Sequence, residues 1–152
     1  MSSKGIAMPE AADVAPALSP LQVFERFRSN VLAGAVGLSG DLCAEDVIVD
    51  LPFAPPGGPR RIVGREEVAA FTAAGRSALP VRFDEFRNVT VRQTADPEVI
   101  VAEYEVGGRV TTTGRRATAA FVLVLRVRDG RVVHWREYQD VSAIARALTE
   151  GH

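Results

Sequence analysis

Hydrophobic positions recur at helical spacing early in the chain. Ser19 is a favourable N-cap, Pro20 suits the first helical position, and Gln22 completes a capping box with the serine. The apolar positions that follow recur on one helical face, namely Leu21, Phe24, Phe27, Val31 and Leu32. The pattern therefore predicts a first helix from Ser19 onward, and a short second helical piece over 39–44.

A further helix is predicted over 65–79, after Gly64. Glu66 and Glu67 stand in its first turn, where the helix dipole favours acidic side chains. Its inner face is indicated by four positions, Val68, Phe71, Thr72 and Leu79. Between the helices, segment 46–53 is β-branched and ends at prolines, which predicts a strand that enters a loop.

The hydrophobic period changes to two from Val81 onward. Segments 81–93, 98–113, 115–128 and 131–139 read as strands, and Asp129-Gly130 is a strong hairpin signal between the last two. Asp140 caps a closing helix. Helices ahead of a run of strands predict an α+β fold with a four- to six-stranded antiparallel sheet. We assign residues 1–18 to a disordered tail, 19–148 to one domain and 149–152 to a flexible end.

Alternation along the strands sorts candidate pocket residues by face. In the last strand, one face carries Val133, Trp135, Glu137 and Gln139, and we expect it to face a pocket. In segment 98–113 the corresponding face carries Val99, Val101, Glu103 and Glu105. Segment 115–128 is apolar on both faces, which predicts a homodimer through the outer face of the sheet.

Composition narrows the possible chemistry. The 18 basic residues comprise seventeen arginines and one lysine, Lys4, which argues against a lysine Schiff base or a phosphate-binding loop. One cysteine and two histidines leave no room for a disulfide framework and little for a histidine-built metal site. The net charge of -1 does not favour nucleic acid. Neither a signal peptide nor a membrane span is visible, so we expect a cytoplasmic protein.

Two segments carry a family resemblance. GRVVHWREYQD over 130–140 and DVIVDLPFAPPGG over 46–58, with the helix–strand–helix–meander order, resemble the SnoaL-like branch of the NTF2-like superfamily. That superfamily includes polyketide cyclases, ketosteroid isomerases and limonene-epoxide hydrolases. The resemblance covers about 19–148 and implies a cone-shaped fold, in which a curved sheet wraps against N-terminal helices around an internal pocket. It also implies frequent dimers and chemistry without a cofactor or metal.

The resemblance implies different matches for each activity. Glu137 stands where limonene-epoxide hydrolases have the acid that activates water. Glu103 and Glu105 look like the Arg-x-Asp pair of those enzymes, so this chain has a glutamate in place of the arginine. Asp50 replaces their water-holding Asn. Ketosteroid isomerases have a base directly before a proline, where this chain has Leu51. Polyketide cyclases need only one pocket acid, so this sequence departs least from them.

Four carboxylates are therefore the candidate catalytic groups. Burial against Trp135 would raise the pKa of Glu137 into the range of a general acid/base, and the alternative is an ion pair with an arginine. Glu103 and Glu105 would share a proton if buried together, and the alternative is exposure to solvent. Asp50 is unusual within a strand, and its alternative partner is Arg60, Arg61 or a turn.

The expected function is that of a cofactor-independent enzyme, a cyclase, isomerase, dehydratase or hydrolase, acting on a small apolar molecule. The alternative is a ligand-binding or dimeric assembly module with the same fold, because fold does not determine function. The side chains expected to line the pocket, with ordinary core packing as the alternative for some, are Trp135, Phe53, Leu51, Phe71, Phe121 and Leu123. Neither nucleic acid nor membrane is an expected partner.

Overall fold

The computed structural model describes residues 16–149. The predicted tail over 1–18 and the predicted flexible end over 149–152 lie largely outside them, but Leu18 packs against the hydrophobic core. The helices are α1 (Pro20–Leu32), a 3-10 turn (Gly40–Leu42), α2 (Arg65–Ala78) and α3 (Val141–Thr149). The strands are β1 (Cys43–Asp50), β2 (Arg61–Val63), β3 (Val81–Gln93), β4 (Val99–Val110), β5 (Arg116–Arg128) and β6 (Arg131–Gln139).

Helix α1 begins as its sequence predicts. The Ser19 hydroxyl accepts from the Gln22 amide at 3.2 Å, and the Gln22 side chain accepts from the Ser19 amide at 2.9 Å. The buried face carries Val23 and Phe24, which are inaccessible to solvent. The predicted buried face was wrong at Leu21, whose side chain is 46% exposed. Val23 rather than Leu21 faces the sheet.

The segment between α1 and α2 departs from its prediction. The helical piece expected over 39–44 is only a single 3-10 turn, and Cys43 already belongs to β1. Strand β1 ends at Asp50, earlier than predicted, because the chain then turns through Pro52 toward the short strand β2. Helix α2 matches its predicted range to within one residue.

The strands form one six-stranded, curved and unclosed sheet in the order β2-β1-β6-β5-β4-β3. Its meander β3–β6 is antiparallel, as predicted, and Asp129 and Gly130 both have positive φ, as a tight hairpin requires. One expectation was wrong, since β1 pairs with β6 in parallel. The chain between β1 and β6 includes α2 and four further strands, so the two need not be antiparallel.

The sheet bends strongly where β3 meets β4. Strand β3 has register shifts between Phe83 and Glu85 and between Arg87 and Thr90, which mark bulges. Gly108 lies opposite the first bulge, and a Cβ atom there would lie 2.5 Å from the Arg82 carbonyl oxygen. Only glycine permits this close approach of the two backbones.

Aromatic rings fill the concave face of the sheet beneath α1. Tyr104 stacks on Phe86 and on Phe121, with ring centroids 5.3 and 5.5 Å apart. The rings of Phe27 and Trp135 pack in an edge-on arrangement, with centroids 4.8 Å apart. These rings bury large areas and prefer such offset or edge-on arrangements, so they fix α1 on the sheet.

On β6, three of the four residues predicted to face inward do so. Trp135, Glu137 and Gln139 face inward, but Val132 replaces Val133 in the core, because the register shifts between Arg126 and Val127. On β4 the prediction was wrong for the whole strand, since its buried positions are Ile100, Ala102, Tyr104 and Val110.

The outer face of the sheet is partly apolar. Val122 on β5 is 36% exposed there, and this face stays the predicted dimer surface. Among residues 16–149, no helix is long and apolar enough to cross a membrane.

We predict that Gly108→Ala will lower the free energy of unfolding by about 1–3 kcal/mol, because the added methyl group overpacks the β3–β4 contact. Denaturant unfolding measures the change. The matched control is Gly75→Ala on α2, where a Cβ would meet nothing within 4 Å. That control should be neutral or more stable by up to about 1 kcal/mol. Equal effects at both positions would contradict this account of the bend.

Candidate active site

A cavity of about 490 Å³ lies between the concave face of the sheet, α1, α2 and the loop after β1. This volume is in the range of small-molecule sites. Its walls are mostly apolar, with a few polar side chains, namely Thr72, Arg76, Tyr104, Glu137 and Gln139. An apolar enclosure with few polar groups is the usual form of such a site.

Glu137 is the one acidic side chain among the described residues that line this cavity. The Trp135 indole Nε1 donates to its Oε1 at 3.1 Å, and the Gln139 Nε2 donates to its Oε2. Burial raises the pKa of Glu137 above its usual value, and these two hydrogen bonds oppose that rise only in part. A positioned carboxyl group with a raised pKa has the properties of a general acid/base.

Tyr104 lines the same cavity, and its hydroxyl group is buried. The residue is 3% exposed, and its buried oxygen has no hydrogen-bond partner among the described residues. Burial raises the pKa of Tyr104 well above its usual value, and the charge of Glu137 raises it further. The phenol therefore stays protonated and can donate to an oxygen of a bound molecule.

Sequence reasoning missed Tyr104, because we assigned its face of β4 to the outside of the sheet. The alternation along β4 could have identified it. Ile100, Ala102 and Tyr104 share one face and are all apolar or aromatic, whereas the other face ends in two glutamates.

Glu103 and Glu105 lie on the outer face, so the expectation that they share a cavity with Glu137 was wrong. Glu103 pairs with Arg92 at 3.1 Å, and Glu105 pairs with Arg87 at 3.1 Å. Asn88 also donates to Glu105, and this bond, followed by that of Arg87, lowers the glutamate's pKa. Arg87 and Asn88 on β3 therefore hold the Glu105 carboxylate ionised.

Asp50 also faces away from the cavity, although it is buried, at 5% exposure. Its neighbours Val49 and Leu51 line the cavity, and alternation along the chain directs the carboxylate to the opposite face. Arg61 donates through Nε at 2.8 Å and through Nη2 at 3.1 Å, and the His134 Nε2 lies 2.7 Å away. The hydrogen bond from Arg61 is the main cause of the lowered pKa of Asp50, and burial opposes it.

The apolar residues predicted to line the pocket also divide into those that line the cavity and those that do not. Trp135, Leu51, Phe71 and Phe121 line the cavity. Leu123 does not, because it is fully buried in the core next to Glu137 on the neighbouring strand. Phe53 was wrongly placed, since it is 59% exposed and packs against Tyr138, with ring centroids 5.5 Å apart.

The described residues contain no group of three or more His, Cys, Asp or Glu side chains arranged to hold a metal ion. Cys43 is buried and its pKa is raised to about 11, chiefly by burial, so its thiol is a poor nucleophile.

The curved sheet over an apolar cavity is the NTF2-like fold, which a solved protein of Burkholderia xenovorans shares at a TM-score of 0.60. Within that fold class, residues 23–135 match the family model of the SnoaL-like domain. The chain belongs to the SnoaL-like family.

Relatives extend over most of the chain. An uncharacterised PhzA/B-like protein of Pseudomonas aeruginosa is 33% identical over 98 residues, which are 64% of this chain and 67% of the relative. A Bacillus subtilis protein, described provisionally as an isomerase, has a TM-score of 0.76 at 25% identity and covers 85% of this chain and 91% of its own. A Xanthomonas campestris protein, described provisionally as a polyketide cyclase, has a TM-score of 0.68 at 21% identity, over 86% of this chain and 96% of its own.

We predict that Glu137 will titrate above the usual pKa of glutamate, as measured by NMR of its side-chain carboxyl carbon. Because its folded pKa is raised, the protonated form stabilises the fold, and this contribution is lost as the pH rises through the folded pKa. Glu137→Gln should therefore gain stability relative to the natural protein as the pH increases from 4 to 8. A stability difference that does not change over this range would contradict the raised pKa.

We predict the opposite pH dependence for Asp50, whose folded pKa is lowered. Its contribution is present above the unfolded pKa and is lost as the pH falls through the folded pKa. Asp50→Asn should cost about 2 kcal/mol of unfolding free energy at pH 7, because charge-assisted hydrogen bonds to Arg61 and His134 are lost. The loss should shrink in acid. Glu103→Gln, which breaks only an exposed pair, should cost no more than about 1 kcal/mol.

Proposed function

We propose that this chain catalyses proton transfer on a small, mostly apolar carbonyl compound, with Glu137 as the general acid/base. The observation that carries the proposal is a single carboxyl group of raised pKa inside an apolar cavity, beside the unpaired hydroxyl of Tyr104. Trp135 and Gln139 orient the carboxyl group. Such positioned acid/base groups typically contribute factors of 10²–10⁴ to a rate.

The proposed reaction begins when the ionised Glu137 removes a proton from a carbon beside the carbonyl group. The electron pair of the C–H bond forms a carbon–carbon double bond, and the π pair of the carbonyl group moves to its oxygen, where the Tyr104 hydroxyl donates a hydrogen bond to the developing charge. Protonated Glu137 then returns the proton. Return to another carbon gives an isomer, and return to the alkoxide that follows carbon–carbon bond formation gives a cyclised product.

Relatives described as isomerases and polyketide cyclases support this type of chemistry. Epoxide hydrolysis in the limonene-epoxide hydrolase manner has less support, because it needs a second acid and an arginine near Glu137. The matching Glu103 and Glu105 lie on the opposite face of the sheet. Isomerisation and cyclisation therefore have more support than epoxide hydrolysis.

The alternative is a protein that binds a ligand in this cavity without transforming it. One observation favours it, namely that only one of the four candidate carboxylates lines the cavity. The two functions differ in a measurable way, because a ligand-binding protein has no need of a reactive base.

We predict that the protein will accelerate the base-catalysed ring opening of nitrobenzisoxazole. In that reaction a base removes the ring proton, the N–O bond breaks, and a coloured phenolate forms. Its rate should follow the ionised fraction of Glu137, rising with pH to a plateau, and Glu137→Gln should lower it by about 100-fold or more. Absorbance of the phenolate measures the rate.

Glu103→Gln is the matched control, since it removes an equivalent carboxylate from the outer face of the sheet. It should leave the rate within twofold of the natural protein. Ring opening no faster than with free acetate, or equal losses in the two variants, would reject the catalytic role of Glu137 and favour the ligand-binding alternative.

A further inference from the structure

Arg76 is the second charged group of the cavity, and the proposed proton transfer does not use it. It lies in the last turn of α2, and it is the only arginine among residues 16–149 that lines this cavity. Its Nη2 donates to the Val81 carbonyl oxygen at 2.8 Å, which ties the helix to the start of β3. Its guanidinium carbon lies 5.2 Å from the centre of the Phe83 ring.

The remaining terminal nitrogen of Arg76 has no partner. Nη1 is buried from solvent and makes no hydrogen bond within the described part of the chain. A buried, unpaired donor on a charged group is costly, so such donors in folded proteins are nearly always satisfied. The Phe83 ring and the Val81 carbonyl hold the guanidinium in place on the cavity wall, with the hydrogen-bonding capacity of Nη1 unused.

Arg76 and Glu137 line the cavity from different elements, Arg76 from the last turn of α2 and Glu137 from β6. The groups that shift the pKa of Glu137 are its own burial, Gln139 and Trp135, and no arginine is among them. The cavity therefore has a carboxyl group on β6 and a cation on α2, within a lining that is mostly apolar.

We propose that Arg76 binds a carboxylate group of the substrate, so that the substrate class is an apolar carbonyl compound that also carries a carboxylate. A guanidinium group matches a carboxylate in shape and charge. One cation in an apolar cavity balances one negative charge, whereas a phosphate dianion would need more. The inference rests on the proposed function for the carbonyl part, and it extends that function by naming the group that anchors the substrate.

The test measures binding rather than turnover. Trp135 is the only tryptophan of the sequence and lines the cavity, so its fluorescence reports occupancy. Adamantane carboxylate and adamantane carboxamide are equal in size and optically silent, and they differ in charge. We expect the natural protein to bind the carboxylate at least tenfold more tightly than the amide. Equal affinities, or no binding of the carboxylate at millimolar concentration, would overturn the proposal and leave water as the partner of Nη1.

Arg76→Gln should remove the preference by weakening carboxylate binding at least tenfold, while amide binding changes less than twofold. Arg82→Gln is the matched control, because it removes the same charge from an exposed position on β3. It should keep the preference. A preference that survives in Arg76→Gln, or that is lost equally in Arg82→Gln, would overturn the proposal, and circular dichroism confirms that each variant is folded.

The same assay separates this proposal from the catalytic one. Glu137→Gln should still prefer the carboxylate, because Arg76 is intact. If that variant binds the carboxylate with the natural preference but the natural protein shows no ring-opening activity, the catalytic proposal fails and the anchoring role of Arg76 stands. If activity depends on Glu137 and no carboxylate preference exists, the reverse holds.

Discussion

The site depends on the close approach of two backbones at the far edge of the sheet. Gly108 on β4 lies against Arg82 on β3, at a distance that excludes any side chain. The bulge opposite it increases the local twist, and a strongly twisted sheet has a concave face. On a flatter sheet, α1 and α2 would pack directly on the strands and leave no cavity. The curvature instead separates helices and sheet enough to leave about 490 Å³ between them.

Two kinds of charged group result from this arrangement. On the outer face, carboxylates lie beside arginines in solvent, as Glu103 does with Arg92, and such exposed pairs contribute little to stability. Inside, Glu137 has hydrogen bonds but no counter-ion, so its pKa rises instead. The arginine-rich composition thus has a structural meaning. Arginines pair with Glu103 and Glu105 on the outer face, whereas the carboxyl group that lines the cavity is held by Trp135 and Gln139.

How much of the fold and of the cavity lining could be predicted from the sequence depends on how clearly the residues of each strand distinguish its two faces. In β6 the order Trp135, Glu137, Gln139 alternates with charged and polar residues, and the cavity face followed from the sequence. In β4 both faces begin with apolar residues, so the pattern does not distinguish them. The face with the two glutamates was assigned to the cavity because carboxylates were expected there, and that assignment was wrong. Asp50 shows a different limit. The sequence offered Arg61 as one of several alternative partners for it, and the structure confirms that partner. The choice among them depends on the pairing of β2 with β1, and β2 is too short to have a pattern of its own.

A cavity with one carboxyl group restricts the chemistry that it can perform. Hydrolysis of an epoxide needs an acid and a base at once, because water must lose a proton while the leaving oxygen gains one. Isomerisation and aldol closure need them in succession, so one carboxyl group can take a proton and return it. Such a group works best when its two protonation states are close in free energy, which is what burial without a counter-ion provides. Since no second acid among residues 16–149 lines the cavity, reactions are favoured in which the proton that leaves the substrate is the one that comes back.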